Sequence, residues 1–378
     1  MTDTTAVSIA TPANPQRHSG APLRIIIPGG EGHLGHLGHL GRLVARRFSS
    51  QGHLVTTLTR SPRHPSVAAA GQTSQKLNAW ETAVWDGKSL GSWVGLLEHA
   101  DIVINFAGRS VDCRYTARNR AAILQSRVES TTVLSKAIES VRFPPRLWLN
   151  SSTGTIYRHS FDCAMDETTG ELGGNESNVP ETWRFSIDVA RQWERSFFAS
   201  NTPRTRKIAL RSAMVMSVEP GGVFEVLLRL VRSRLGGAWG SGQQYMSWIH
   251  EEDFLRAVEF LITREDIVGA VNLAAPSPLP NEQFLSQLRN AWGTSIGLPA
   301  TAWMLEIAAF CLRTETELLL KSRRVVPAVL QNHGFEFLFP HWPEAANDLV
   351  RRWRTKAATR ASCEFIQDCQ EATVERAN

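Results

Sequence analysis

The sequence predicts an α/β protein in which helices cover both faces of a parallel sheet, and three observations support this prediction. Short, apolar, β-branched segments recur along the chain and are typical of buried strands. Segments with helical periodicity lie between them, and a glycine-rich turn follows the first strand. Because strands that alternate with helices form right-handed crossover units, we expect the strands to be parallel.

The first two strands and the helix between them are predicted near the start of the chain. The first strand is Arg-Ile-Ile-Ile at 24–27, followed by Pro28 and two glycines. A glycine-rich turn then leads into a helical pattern that passes through Leu40 and ends near Gly52. The second strand is expected over residues 53–59.

The alternation of strands and helices continues further along the chain. Strands are predicted at residues 101–106, 147–151 and 207–212. Helical periodicity is found in 117–140 and 184–199. We therefore expect all these strands to belong to one sheet.

The domain organisation is predicted from changes in composition. Residues 1–22 form a polar, proline-containing stretch, which we expect to be a disordered tail. Residues 23–280 carry the strand and helix signals and form the main body. Residues 281–350 are richer in helical signals and form a smaller C-terminal part, and residues 351–378 are predicted as a second polar tail.

The composition excludes several classes of protein. With 378 residues, of which 42% are hydrophobic and 20% charged, the chain is neither disordered nor collagen-like. Its longest nearly uninterrupted apolar stretch, residues 303–312, is too short to cross a bilayer, and the first 22 residues lack the apolar core of a signal peptide. The five cysteines form no CxxC pair, so we expect a reducing, cytoplasmic environment.

The charge pattern argues against a nucleic-acid partner. The formal net charge is +5, and the cations are thirty-five arginines and only six lysines, spread evenly without a basic block. We therefore expect the partner to be a small-molecule substrate, with no binding to nucleic acid or membrane. The protein is expected to be a monomer or a homodimer.

The strongest local signal is the turn after the first strand, Gly29-Gly30-Glu31-Gly32-His33-Leu34-Gly35. A glycine-rich turn between a first strand and a helix lets backbone N–H groups approach a pyrophosphate. Its position in the chain predicts a dinucleotide site. The alternative interpretation is a glycine-rich turn that binds no ligand.

The end of the second strand indicates which dinucleotide is bound. An NAD site would place Asp or Glu there, to accept a hydrogen bond from the ribose 2′-hydroxyl. This strand instead ends in Thr59-Arg60, with Arg63 close behind. Arginine pairs with a 2′-phosphate through its planar guanidinium group, so NADP(H) is predicted rather than NAD(H). The alternative is that Arg60 only solvates a loop.

A tandem His-Leu-Gly repeat occupies the same turn, from Gly32 to Gly41. Histidines at every third position advance about 300° around a helix and form only a slanting stripe, which does not suit a metal site. We interpret the repeat as an expansion that lengthens the turn or the helix by six residues. Either Gly32–Gly35 or Gly38–Gly41 can then occupy the usual place of the turn.

Several further motifs follow in a fixed order along the chain. They are Asn105-Phe106-Ala107-Gly108, Gln125-Ser126-Arg127, Ser151-Ser152-Thr153, Tyr157, Arg211-Ser212, Gly240–Tyr245 and Trp248–Asp253. Together with the first turn they resemble the atypical extended short-chain dehydrogenase/reductases, also described as epimerase-like or cell-division-inhibitor-like proteins. The segment from Glu317 to Phe335 resembles that family's C-terminal domain of unknown function.

The resemblance covers residues 23–350 and implies a fold, a cofactor and a site. The implied fold is a Rossmann-type doubly wound parallel sheet with a smaller C-terminal domain on the substrate side, and the implied cofactor is NADP(H). The family positions for cofactor contacts fall on the first-turn glycines with His33 and Leu34, and on Thr59, Arg60, Phe106, Ala107, Gly108, Arg127, Ser151 and Ser212. The resemblance supplies no substrate.

The catalytic pair of the family is missing. Short-chain reductases use Tyr-x-x-x-Lys, in which the tyrosine transfers a proton and the lysine lowers its pKa. The residues four positions after the three tyrosines, Tyr115, Tyr157 and Tyr245, are Asn119, Phe161 and Ile249. The segment expected to hold the pair is Phe185-Ser186-Ile187-Asp188, which cannot supply it.

Two other hydroxyl groups remain as catalytic candidates. Ser152 lies where the family places its catalytic serine, and Tyr157 follows a few residues later. Tyr157 is a candidate proton donor and Ser152 a candidate for polarising a carbonyl group. The alternative is that Tyr157 is a half-buried aromatic residue whose hydroxyl is hydrogen-bonded to the backbone.

Three hypotheses of function follow from these observations. The leading one is an NADP(H)-dependent oxidoreductase that acts on a small carbonyl or sugar-nucleotide-like substrate. The second is a non-catalytic NADP(H)-binding sensor or interaction protein, which the missing pair favours. The third is a nucleotide-sugar epimerase, which would also need a proton-transfer pair.

Overall fold

The structure is a computed structural model that describes residues 21–30, 36–60, 80–177, 179–301, 304 and 317–375. The strands are β1 (Arg24–Pro28), β2 (Leu54–Thr59), β3 (Glu81–Val84), β4 (Ile102–Asn105), β5 (Leu147–Thr153), β6 (Arg206–Ser212), β7 (Met214–Met216), β8 (Tyr245–Met246), β9 (Trp248–His250), β10 (Gly269–Leu273) and β11 (Leu279–Pro280). The helices in the described ranges are α1 (His36–Ser50), α2 (Ala117–Ser140), α3 (Glu181–Phe198), α4 (Val223–Arg232), α5 (Glu251–Thr263), α6 (Asn281–Trp292), α7 (Glu317–Leu320), α8 (Ala328–Asn332) and α9 (Trp342–Glu375).

Seven strands form one sheet in the order β10-β6-β5-β4-β1-β2-β3, and every neighbouring pair is parallel. The chain builds the sheet outwards from β1 in one direction, then returns to β4 and builds in the other. The strand order therefore reverses between β1 and β4. In such doubly wound sheets, ligands bind beyond the carboxyl ends of the strands at this point. The predicted fold class is confirmed.

Helices cover both faces of the sheet, which explains the apolar strands. In β1, Ile25 and Ile27 face the core that contains α1 and α5, whereas Ile26 faces the core that contains α2 and α3. All three side chains are at most 4% exposed. Burying each contributes on the order of 1.5–3 kcal/mol to stability, so this strand alone strongly favours the two-sided arrangement.

A second core lies beside the sheet and is built from α4, α6 and α9. Trp342 stacks on Phe284 at 3.9 Å between ring centroids, and its indole N–H donates to the Phe284 carbonyl. The two short strand pairs, β7 with β9 and β8 with β11, connect this core to the sheet. None of the helices in the described part of the chain is long and apolar enough to cross a membrane.

The final helix extends further than the sequence indicated. Helix α9 stays helical to Glu375, across the boundary at residue 351 where we placed the start of a polar tail. Past that boundary, Trp353 still packs on the second core, and Lys356 forms an ion pair with Glu219 at 2.8 Å. The sequence signal was weak because few apolar residues follow Val350, so the stretch has little apolar periodicity.

Candidate functional site

The site begins where the carboxyl ends of three strands meet. The Gly29 amide donates to the Leu58 carbonyl at the end of β2, and the Phe106 amide donates to the Pro28 carbonyl from beyond β4. Gly29 has φ of +81°, and a Cβ there would lie 2.6 Å from the Ala107 nitrogen. Only glycine fits this turn, because it tolerates the positive φ and leaves room for the neighbouring backbone.

Helix α1 packs closely against this turn through a second glycine. A Cβ on Gly41 would lie 2.5 Å from the Cα of Gly30. The close packing of the helix on the turn, which the third glycine of the dinucleotide fingerprint provides, is therefore made by Gly41. Of the two alternatives left open by the repeat, Gly38–Gly41 supplies this contact, and the helix already begins at His36.

The turn fits a dinucleotide phosphate group on this evidence. Its backbone is free of side chains at Gly29 and Gly30, and the start of α1 follows at the point of strand reversal. The predicted contacts at Gly32, His33, Leu34 and Gly35 lie outside the described residues, as does Arg63.

Thr59 and Arg60 lie beside the turn, at the carboxyl end of β2. Thr59 is 9% exposed, whereas the Arg60 side chain is exposed to solvent. Within the described ranges, no carboxylate forms an ion pair with Arg60. Its guanidinium group is therefore available to a phosphate group bound beyond β2.

The loop after β4 is held by side-chain amides. Asn105 accepts a hydrogen bond from the Ala107 amide at 3.0 Å and donates to Asn150 of β5 at 2.7 Å. Phe106 is 1% exposed and packs in the core, Ala107 contacts the glycine turn, and Gly108 follows at the partly exposed side. The backbone from Ala107 onwards is thus fixed next to the first turn.

Arg127 anchors α2 to the same loop. Its Nη1 donates to the carbonyls of Arg109 and Ile123, each at 3.0 Å, and its guanidinium lies 5.1 Å from the Trp193 ring centroid. The side chain is only 5% exposed, and burial lowers its pKa to about 10. No carboxylate in the described residues pairs with it, so Arg127 is a fixed, buried positive charge next to the site.

Ser151 and Ser152 point to opposite faces of the sheet because side chains alternate along a strand. Ser152 donates to Glu194 of α3 at 2.6 Å. The Ser151 hydroxyl is buried on the other face and meets no hydrogen-bond partner among the described residues. The two neighbouring serines therefore have different environments.

Tyr157 belongs to the same buried network as Ser152. Arg211 forms a bidentate ion pair with Glu194 at 2.7 and 2.8 Å, and its third nitrogen donates to the Tyr157 hydroxyl at 2.8 Å. Tyr157 in turn donates to Asn272 at 3.0 Å. The ring is 1% exposed, and burial raises the pKa of Tyr157.

This geometry favours the structural interpretation of Tyr157. Its hydroxyl proton is committed to Asn272, and one of its lone pairs accepts from Arg211. Ser152 is likewise committed to a buried carboxylate. In this arrangement the hydroxyl protons of both catalytic candidates, Ser152 and Tyr157, are bonded to buried side chains.

Ser212 lies at the carboxyl end of β6, paired in register with Thr153 of β5. Three strand spacings, roughly 14 Å, separate β6 from β1. Ser212 is therefore not next to the glycine turn. A dinucleotide would have to extend along the sheet edge to reach it.

Sequence reasoning missed a second polar cluster at the same edge of the sheet. Tyr115, in the loop before α2, lies 3.3 Å from Ser186 of α3, and Ser186 donates to Glu317 of α7. Glu317 pairs with Arg323 at 3.1 Å, and Arg323 donates to the Thr155 hydroxyl just beyond β5. The four elements are far apart in the chain, and only the family-like segment at 317–335 marked one of them.

Together, a seven-stranded parallel sheet, a glycine turn where the strand order reverses and an arginine at the end of β2 define a dinucleotide-binding protein of the Rossmann type. Residues 34–274 match the model of the NAD dependent epimerase/dehydratase family, and the chain belongs to that family. Residues 300–349 match a domain of unknown function, DUF1731. These two matches confirm the resemblance found in the sequence.

Relatives and solved structures agree with this assignment. An epimerase family protein of Staphylococcus aureus is 28% identical over 327 residues, which cover 86% of this chain and 98% of that protein. The crystal structure of human epimerase family protein SDR39U1 with NADPH superimposes with a TM-score of 0.71 at 24% identity, covering 87% of this chain and 99% of that one. A nucleoside-diphosphate sugar epimerase from Corynebacterium glutamicum gives 0.64 at 22% identity, covering 88% of this chain but only 59% of that longer one.

Proposed function

We propose that the protein is an NADP(H)-dependent oxidoreductase of the atypical extended short-chain type, acting on a small carbonyl or sugar-nucleotide-like substrate. The observation that carries the cofactor choice is Arg60. It is exposed at the end of β2, one strand from the glycine turn, where NAD-specific sites of this fold have a carboxylate. The NADPH in the human neighbour supports the same choice.

The chain offers binding groups along the whole sheet edge. The glycine turn and the start of α1 suit the pyrophosphate, and Arg60 suits the 2′-phosphate. The loop after β4 lies between the glycine turn and β5. When bound, NADPH supplies a hydride, which is two electrons and a hydrogen nucleus. The protein must then orient the substrate carbonyl, exclude water and provide one proton.

The second hypothesis, a non-catalytic NADP(H)-binding protein, also has a structural observation in its favour. Phe185 occupies the position in α3 where the family tyrosine is expected, and the Tyr157 hydroxyl is already committed to Asn272 and Arg211. Turnover separates the two hypotheses. An oxidoreductase consumes NADPH in the presence of some member of a panel of aldehydes, ketones, quinones and nucleotide sugars, whereas a sensor binds NADPH and consumes none.

The cofactor choice is tested by titrating NADPH and NADH against the full chain, following tryptophan fluorescence. We expect NADPH to bind about tenfold more tightly, because a charge-assisted hydrogen bond contributes about 1.5–3 kcal/mol. Arg60→Ala should remove this preference and leave NADH affinity unchanged. Equal affinities in the unmodified protein would contradict the proposal.

The matched control is Arg195→Ala. Arg195 is also an exposed arginine, but it lies near the end of α3, at the opposite edge of the sheet. This variant should bind both dinucleotides as the unmodified protein does. A similar loss of NADPH affinity in both variants would show that Arg60 acts only through general charge.

A further inference from the structure

Tyr115 is a buried tyrosine that precedes α2 in the chain. It lies in the loop that leaves β4 and enters α2, so it stands at the carboxyl edge of the sheet. Its ring packs edge-to-face against Phe185 with 4.9 Å between centroids. Phe185 is the residue found where the family's catalytic tyrosine is expected. The phenol ring of Tyr115 thus lies against Phe185, at the position where the family has its catalytic tyrosine.

The hydrogen bonds of Ser186 decide whether the Tyr115 hydroxyl donates or accepts. Ser186 has a single hydroxyl proton, which it donates to a carboxylate oxygen of Glu317. In the 3.3 Å contact between Tyr115 and Ser186, the serine oxygen must therefore accept and Tyr115 must donate. The chain of donors runs from Tyr115 through Ser186 to Glu317.

Glu317, the last acceptor in this series of hydrogen bonds, is linked to the loop after β5 through Arg323. Arg323 pairs with Glu317 at 3.1 Å through Nη2, while its Nε donates to the Thr155 hydroxyl at 3.1 Å. Thr155 follows β5 by two residues. The cluster therefore joins the loops after β4 and β5.

The surroundings of Tyr115 keep its hydroxyl protonated at rest. Burial raises the pKa of Tyr115 well above its usual value, the Glu317 carboxylate raises it further, and Arg323 and Arg127 oppose this. The hydroxyl is therefore protonated at rest. Arg127 lies on the α2 side as a buried cation, and it would stabilise the phenolate that forms when the proton leaves.

We propose that Tyr115 is the proton donor of this site, replacing the tyrosine of the missing Tyr-x-x-x-Lys pair, with Ser186 and Glu317 as the path that restores its proton. The proposal rests on the NADP(H)-dependent reaction proposed above. Arg127, from α2, takes the part of the missing lysine.

The proton transfers balance in the direction of carbonyl reduction. As hydride adds to the carbonyl carbon, the carbon–oxygen π pair moves to the oxygen, which takes the proton from Tyr115 Oη. For this transfer the Tyr115 O–H turns from Ser186 to the substrate oxygen. The Glu317 carboxylate then takes up a proton from solvent and passes it to Ser186 Oγ as Ser186 gives its own proton to the phenolate, which returns Glu317 to the carboxylate form. The net change is one carbonyl, one hydride and one proton converted to one alcohol.

The other two tyrosines do not compete for this role. Tyr157 is held between Arg211 and Asn272 in the interior. Tyr245 is in β8, where the guanidinium of Arg324 lies 4.6 Å above its ring. The three residues can therefore be compared within one protein, and Tyr245 serves as the internal control.

The experiment is fluorine NMR of the full chain with 3-fluorotyrosine at all three tyrosines, assigned by Tyr115→Phe, Tyr157→Phe and Tyr245→Phe. NADP+ and NADPH differ by the positive charge of the nicotinamide ring. We expect the Tyr115 signal to differ between the two complexes and the Tyr245 signal to be the same in both. Ser186→Ala should shift the Tyr115 signal of the free protein, because it removes the acceptor of its hydrogen bond.

Cofactor binding is measured on the same samples by tryptophan fluorescence. If both dinucleotides bind and the Tyr115 signal is no more sensitive to them than that of Tyr245, this proposal is wrong while the proposed function stands. If neither binds, the proposed function fails, and this proposal with it.

On any carbonyl that the protein reduces, Tyr115→Phe should lower kcat about 100-fold and Tyr245→Phe should not. An unchanged kcat in Tyr115→Phe would also overturn the proposal that Tyr115 is the proton donor.

Discussion

Lys321 is a buried lysine that lies outside the proposed proton path. It is 2% exposed, and its Nζ donates to the Thr155 carbonyl at 2.7 Å. Burial lowers the pKa of Lys321 to about 7, Arg323 lowers it further, and Glu317 and Glu176 oppose this. The folded protein therefore holds this proton less tightly than the unfolded protein does.

This difference predicts how stability depends on pH. Between pH 7 and the usual lysine pKa of 10.5, the unfolded chain binds more protons at this residue, so the free energy of unfolding rises with pH. The rise is at most about 1.4 kcal/mol per pH unit. Urea unfolding of the unmodified protein and of Lys321→Met, from pH 7 to pH 9.5, should show the steeper rise in the unmodified protein.

The exposed Lys88 is the control for this prediction. It pairs with Glu129 at the surface, with 62% of its side chain exposed, and Lys88→Met should leave the pH dependence unchanged. If Lys321→Met and the unmodified protein change with pH in parallel, Lys321 stays charged in the folded protein.

Individual residues differ in how far the sequence indicates their neighbours in the fold. Gly29, Arg60 and Ala107 follow strands directly, so their meeting at one edge follows from a parallel sheet. The commitment of Tyr157 to Arg211 and Asn272 could not be predicted, because those partners come from two other strands. The same reason hid the contact between Tyr115 and Ser186.

At the scale of elements, the packing of α1 on the glycine turn makes a sharp prediction. Gly41→Ala places a methyl group 2.5 Å from the Gly30 Cα, and backbone cannot move aside as a flexible side chain can. We expect the free energy of unfolding to fall by about 1–3 kcal/mol and NADPH affinity to fall at least tenfold. Chemical denaturation and fluorescence titration measure the two effects.

Gly95→Ala is the matched control. Gly95 also lies in a helical turn, Ser92–Leu97, but an added Cβ there meets no atom within 4 Å. This variant should change stability by less than about 0.5 kcal/mol and leave NADPH binding intact. Normal NADPH binding by Gly41→Ala would show that the helix does not need to lie this close to the turn.

Within the seven-stranded sheet, the strands that the sequence missed are the two edges. The predicted strands match β1, β2, β4, β5 and β6, each with buried apolar residues. Edge strand β3 is Glu-Thr-Ala-Val with no fully buried residue, and β10 begins at a glycine. Edge strands need less apolar surface than central ones, so their sequence signal is weaker.

At the scale of the whole molecule, α9 ties the C-terminal part to the main body. Arg352 pairs with Glu251, which is only 3% exposed at the start of α5. Ending the chain at Val350 removes this ion-pair partner and leaves the buried carboxylate with only the hydrogen bond from Ser217. We expect the free energy of unfolding to fall by about 3–5 kcal/mol, measured by urea denaturation.

A chain that ends at Thr359 is the control for this truncation. It keeps Arg352, Trp353 and Lys356, which make the described contacts of this stretch of α9. It should therefore be nearly as stable as the full chain. If both truncations lose the same stability, residues beyond 359 hold the fold through contacts of their own.

The order in which the chain is synthesised gives the C-terminal segment a further consequence. All seven strands of the main sheet are complete by Leu273, whereas Glu317 and Arg323 are translated more than forty residues later. At about 5–20 residues per second, this delay on the ribosome lasts several seconds. On the proposed function, the strands that carry the coenzyme-binding groups are thus all synthesised before Glu317, the residue that with Ser186 would restore the proton of Tyr115.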